Sequence, residues 1–113
     1  MLRIALMSLM LSGLSGPLLA QENPLIRAIY TCERGVQIPV VYINGDTSVA
    51  VLWAEGQLIT LERAESGSGA RYMTPPNTSG YVWWSKGNTG KLDWFDNDIG
   101  EEVTLFAFCE TEE

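Results

Sequence analysis

The 113-residue chain contains no histidine, and that absence removes much of catalytic chemistry at once. Neither a Ser-His nor a Cys-His nucleophile pair can be built without an imidazole. Cysteine is scarce: there are two, short of the four N or S ligands that zinc normally takes. No metal and no cofactor are therefore expected. Basic residues are few as well, seven Lys and Arg against fourteen Asp and Glu, a net charge of −7. A field of that sign repels nucleic acid and anionic membrane surfaces, and it speeds encounter with a basic partner. Also missing are a 3.6-residue apolar period of helical length and an apolar run of the roughly 20 residues that a spanning helix needs.

What the chain does have begins with a leader pattern. Arg3 precedes an apolar run from Ile4 to Leu14, followed by Gly16-Pro17 and Leu-Leu-Ala20. Residues 1–20 read as a secretory signal peptide cleaved after Ala20, which leaves residues 21–113 as one exported domain. Cleavage removes one basic residue, Arg3, and no acidic one, so six basic and fourteen acidic residues remain, a net charge of −8. No cysteine follows directly after Ala20 to carry a lipid. The expectation is a soluble periplasmic product without a membrane anchor. A domain of this size leaves much of its surface in water, and Cys32 and Cys109, near its two ends, read as a disulfide in an oxidising compartment. Closing a loop of about 80 residues contributes on the order of 4 to 5 kcal/mol in the chain-entropy model.

From Leu25 onward, short apolar runs alternate with Gly, Asn, Asp, Ser and Pro, the spacing of an all-β sandwich or barrel. Strands are predicted over Leu25–Cys32, Gln37–Ile43, Ser48–Trp53, Gln57–Glu62, Ala70–Met73, Tyr81–Ser85, Lys91–Phe95 and Glu101–Cys109. In the first, Ile26, Ala28, Tyr30 and Cys32 share a face. Asn44-Gly45 and Glu55-Gly56 supply turns. Eight antiparallel strands with neighbouring connections favour a closed eight-stranded β-barrel, which leaves no exposed edge. Trp53 and Trp94 are assigned to the core. Trp83 and Trp84, adjacent in a strand, must face opposite sides.

Two loops stand out. Ser66-Gly-Ser-Gly69 combines hydroxyls with glycines that let backbone approach another surface closely. Lys86 leaves an aromatic strand at a turn bracketed by Gly87 and Gly90. A Ser68–Lys86 catalytic pair is formally conceivable, and Asp96-Asn97-Asp98 suggests calcium, but it lacks the ligand spacing of a known loop. The acidic cluster from Asp93 to Glu102 reads as a solvated face rather than glycosidase carboxylates. No enzyme is expected.

Ser68-Gly-Ala-Arg-Tyr72 matches a Ser-Gly-x-x-Tyr motif, and Tyr81-Val-Trp-Trp-Ser-Lys-Gly87 matches Tyr-x-x-x-Thr-Lys-Gly. In these motifs, in their order, and in its early Tyr30-Thr-Cys32, the chain resembles the MliC/PliC family of inhibitors of C-type lysozyme. The resemblance spans essentially residues 21–113. It implies an eight-stranded barrel whose two motif loops enter the lysozyme cleft, with Ser68 and Lys86 directed at the catalytic carboxylates. The motif glycines Gly69 and Gly87 accompany them, and Tyr72 and Tyr81 belong to the same binding set, chiefly as braces of the loops; Arg71, at a variable motif position, is the best additional contact candidate, against the plainer reading of a solvated loop arginine. Ser85 departs from the motif Thr while keeping its hydroxyl, and the Pro-Pro loop Thr74–Gly80 is long for the family. The rival expectation is a barrel whose Trp- and Tyr-lined interior holds a small ligand.

Overall fold

The computed structural model describes residues 24–112; the expected signal peptide, residues 1–20, lies outside them. Eight strands run in chain order: β1 Leu25–Thr31, β2 Gln37–Ile43, β3 Val49–Ala54, β4 Gln57–Ala64, β5 Ala70–Met73, β6 Gly80–Lys86, β7 Thr89–Asp96 and β8 Glu101–Glu110. Each pairs antiparallel with its neighbours, and β8 returns to β1, so the sheet closes as the eight-stranded barrel expected from the sequence.

The period of two decides what lies inside. Ala28 and Tyr30 of β1, Ile38 and Val40 of β2, Ala50 and Leu52 of β3, and Ile59 and Leu61 of β4 all point inward and are buried. Across the other half, Tyr72, Trp83, Leu92 and Phe106 stand in register on successive strands. Trp83, 0% exposed, occupies the middle of the barrel. Its ring has room because residue 90 is glycine: a β-carbon there would stand 2.4 Å from a ring carbon of Trp83. Its indole N–H donates to the Tyr42 hydroxyl at 2.8 Å, and Tyr42 and Tyr30 share a second hydrogen bond of 2.8 Å. The polar atoms that large aromatics carry into a core are thus satisfied. Burial, then the bond to Tyr42, raises the Tyr30 phenol well above its ordinary value.

Two assignments change. Trp53 is half exposed, not core, because Leu52 and Ala54 on either side of it take the inward positions and strand geometry then turns Trp53 outward, opposite Leu58. Trp94 is half-buried, edge-on to Tyr81 with centroids 5.0 Å apart. At the other end of the barrel Ile26 shares the face of Ala28 yet remains exposed.

Closure is the weakest part of the sheet. The pair Thr31↔Glu110 makes the whole β1–β8 ladder. Two further links hold the seam. Cys32 and Cys109 form the expected disulfide. Beside it, the Glu33 carboxylate accepts the backbone N–H groups of Ala107 at 2.9 Å and Phe108 at 3.0 Å. Hydrogen bonds from its own backbone N–H and from those of Phe108 and Ala107 hold the Glu33 carboxyl below the ordinary range.

With the cysteines 77 positions apart in sequence, replacing both by serine should lower unfolding free energy by about 4.5 kcal/mol, read from urea midpoints. An unchanged midpoint would show that the seam holds without the covalent link.

Candidate functional site

The β4–β5 loop, residues 65–69, and the β6–β7 turn, residues 87–88, lie at the same end of the barrel because β5 pairs with β6 and β6 with β7. The register places Ala70 opposite Ser85. The contact is close: Gly69 has φ +68, and a β-carbon on it would lie 2.6 Å from the Ser85 carbonyl oxygen and 3.2 Å from the Lys86 β-carbon. Only glycine takes this backbone conformation at such an approach without strain. Lys86 is the last residue of β6 and pairs with Thr89, whose hydroxyl donates to the Lys86 carbonyl at 2.8 Å. Gly87, with φ +60, is the first of the two residues between them. Such two-residue hairpins are tight, so the lysine stem starts from a fixed base.

Ser68 and Lys86 line one surface groove of 760 Å³, together with Trp84, Lys91, Phe108 and the Cys32–Cys109 bridge. Both residues are exposed at their tips or flanks. Among the described residues no carboxylate pairs with the Lys86 ammonium and no hydrogen bond engages the Ser68 hydroxyl. An amine and an alcohol, both uncommitted, therefore face the same space.

Arg71 belongs to this end through its neighbours. On the outer face it stands opposite Trp84, which in turn stands opposite Lys91. The Arg71 guanidinium lies 5.3 Å and the Lys91 ammonium 5.6 Å from the Trp84 ring centroid, so cations from both adjacent strands flank the indole. Arg71 is ion-paired with Glu102, and Lys91 lies 3.4 Å from an oxygen of Asp93.

The motif tyrosines stand elsewhere. Tyr72 is buried inside the barrel, its ring 5.6 Å from that of Tyr42. Tyr81 is five positions from Lys86 on a strand rising about 3.3 Å per residue, hence roughly 16 Å away. Its hydroxyl donates to Glu55 at 2.7 Å and accepts from Gln57 at 3.0 Å, beside the β3–β4 turn. The structure thus gathers Ser68, Gly69, Arg71, Lys86 and Gly87, sets Tyr72 inside the barrel where it lines a cavity together with Ser85 and Gly87, and leaves Tyr81 at the far end of β6. The long loop 74–79 joins β5 to β6 at the Tyr81 end, so its extra length does not separate Ser68 from Lys86.

Sequence reasoning missed Trp84, which faces out while Trp83 faces in. Its indole N–H donates to the Ser68 carbonyl at 2.9 Å. The signal was present in the Gly-Asn pair at 87–88: a two-residue turn there fixes Lys91 opposite Trp84. Sequence reasoning missed Asp93 as well, read as part of a solvated face but 2% exposed. A register irregularity on either side of Leu92 accompanies the burial of both Leu92 and Asp93. Burial, then the Glu102 carboxyl beside it, pushes Asp93 above the usual carboxylate value, against the pull of Thr104 and Lys91. For Glu102 burial acts upward too, but Arg71 and Asp93 bring it below.

The model of one protein family, described as membrane-bound lysozyme-inhibitor of c-type lysozyme, matches residues 30–100. Among solved structures, the periplasmic lysozyme inhibitor of C-type lysozyme from Salmonella typhimurium superposes with a TM-score of 0.63 at 21% identity, covering 79% of this chain and 99% of that one. MliC from Pseudomonas aeruginosa, solved in complex with hen egg white lysozyme, superposes with a TM-score of 0.57 at 25% identity, covering 89% of this chain and 99% of that one. No curated protein sequence matches.

Asp93 gives a test of the outer-face electrostatics. Its folded value is raised, so the stability it contributes is fully present below the unfolded value near 3.9 and is lost as pH rises through the folded one. Asn has no proton to lose. The stability of Asp93→Asn relative to the parent should therefore increase as pH rises from about 3 through the raised folded value, measured as denaturant midpoints at constant slope. A pH-independent difference would mean that Asp93 titrates alike in both states.

Proposed function

The chain belongs to the MliC family of inhibitors of C-type lysozyme, and on that premise we propose that it binds such a lysozyme and blocks it stoichiometrically, with no chemistry of its own. The observation that carries this reading is the pairing of Ser68 and Lys86 on one groove, each with its polar group uncommitted. Lysozymes cleave glycosides with two carboxyl groups, one acting as general acid. An ammonium held between them in a water-excluded cleft makes charge-assisted hydrogen bonds to both and removes the acid from its task. The serine hydroxyl adds a further donor. That a relative of this chain was solved on hen egg white lysozyme supports the same class of partner here.

Charge favours the encounter. The net charge of −8 on residues 21–113, six basic against fourteen acidic residues, attracts a strongly basic enzyme and raises the association rate. Lys86, with Lys91 on the same groove, is then a local inversion in an acidic field, suited to a pair of carboxylates rather than to the basic surface around them. Trp83, Ile38, Leu52, Leu61 and Leu92 fill the middle of the barrel and are all but inaccessible, so the room left for an interior ligand is a cavity of 280 Å³ beside Gly87, lined by Tyr30, Tyr42 and Tyr72.

An envelope location goes with the family. The finer assignment, a soluble periplasmic protein released by cleavage after Ala20 with residues 21–113 as the inhibitor domain, rests on the leader pattern of residues 1–20.

Lys86→Ala should weaken inhibition of hen-type lysozyme by about thirty-fold or more, since truncating one partner of a desolvated charge pair costs 2 kcal/mol or above. Its melting temperature should match the parent's, because the side chain is exposed. Added salt should slow association of both proteins. A variant that inhibits as well as the parent would refute the role given to Lys86.

A further inference from the structure

The two tips differ in how they are held. Lys86 ends a strand that is paired on both sides, whereas Ser68 sits in a loop with Gly67 before it and Gly69 after it. A loop of that composition samples many conformations, and ordering it on binding costs free energy that a preformed loop does not. The Ser68 carbonyl accepts one hydrogen bond within the loop, from the Ser66 hydroxyl at 2.5 Å, and a second from outside it; of the two, only the second ties the loop to the barrel wall. The donor is the Trp84 indole N–H, 2.9 Å away, and Trp84 lies one position from Ser85 and two from Lys86.

The indole itself is constrained. Arg71 from β5 and Lys91 from β7 flank the ring, and each cation is fixed by a carboxylate, Glu102 and Asp93 respectively. The barrel does not need this ring for its core, which Trp83 fills from the opposite face of the same strand. A tryptophan whose ring lies against two carboxylate-paired cations, and whose N–H reaches a loop carbonyl, is placed to transmit the rigidity of β6 to that loop.

We infer that Trp84 is a positioning residue for inhibition: its N–H fixes the Ser68 carbonyl and thereby the spacing between the Ser68 hydroxyl and the Lys86 ammonium. The inference rests on the inhibitor reading above. It assigns Trp84 no contact with the lysozyme. Its contribution passes through Ser68, so it disappears when the Ser68 hydroxyl is absent.

That dependence is what the experiment reads. Trp84→Phe keeps an aromatic ring between the two cations and deletes the donor. Inhibition of hen-type lysozyme should weaken by roughly three- to ten-fold, the scale of one hydrogen bond, with little change in melting temperature. Amide hydrogen exchange in the free variant should quicken at residues 66–70 and stay unchanged in β6 and β7. In a double-mutant cycle, Trp84→Phe should cost almost nothing further in a Ser68→Ala background. Additive costs would overturn the inference, since they would mean that Trp84 touches the lysozyme or acts through the fold at large. Equal inhibition by Trp84→Phe and the parent would overturn it too. If Trp84→Phe unfolds, Gly69→Ala displaces the same carbonyl from β6, and additivity with Ser68→Ala is again the contrary result. A parent that fails to inhibit any C-type lysozyme overturns the inhibitor reading first, whereas an inhibiting parent with an additive cycle overturns only the role of Trp84.

Discussion

The structure depends on closing a sheet whose last strand barely meets its first. Seven of the eight seams carry ladders of three to seven pairs; the eighth carries a single pair, Thr31↔Glu110. Without closure both edge strands would present unpaired backbone groups to water and to other chains. The Cys32–Cys109 bridge and the Glu33 carboxylate on the Ala107 and Phe108 N–H groups complete the cylinder. Both links border the groove that holds Ser68 and Lys86. The device that keeps this small fold shut also forms a wall of the site.

From that frame the site follows by alternation. Trp83 and Trp84 are consecutive, and a strand sends them to opposite sides. Trp83 fills the cylinder, permitted by the missing side chain at Gly90. Trp84 lies outside, among Arg71, Lys91 and the Ser68 carbonyl. The core and the loop are therefore referenced to the same two residues of β6. Packing energy gathered inside the barrel is converted into geometry at its rim.

Much of this was readable from residue order. Glycine and asparagine turns bounded all eight strands to within a few residues, because each strand is short and its alternation is strict around Ala28, Ile38, Leu52 and Leu61. Cysteine placement named the disulfide. The Ser-Gly and Lys-Gly motifs named two loops that the structure brings side by side. What order could not supply was side and register. Trp53 looks like core by composition, but its neighbours Leu52 and Ala54 occupy the inward positions. Asp93 looks solvated, yet it is buried on the outer face where the register slips around Leu92. Tyr72 and Tyr81 share motifs with Ser68 and Lys86, but adjacency in a motif does not carry along a strand: one turns inward and the other lies a strand's length away. Trp84 was a coin toss until the pairing with Arg71 and Lys91 fixed its direction.

On the proposed function, the Ser68 and Lys86 tips occupy the very cleft in which a lysozyme holds its saccharide. The most direct measurement is the affinity of the parent protein for hen-type lysozyme with and without a saturating trimer of N-acetylglucosamine. Competition for one cleft predicts that the apparent Kd rises in proportion to saccharide, about a hundred-fold when the trimer stands at a hundred times its own Kd. An apparent Kd that does not move with saccharide would place the contact elsewhere on the enzyme and contradict the account.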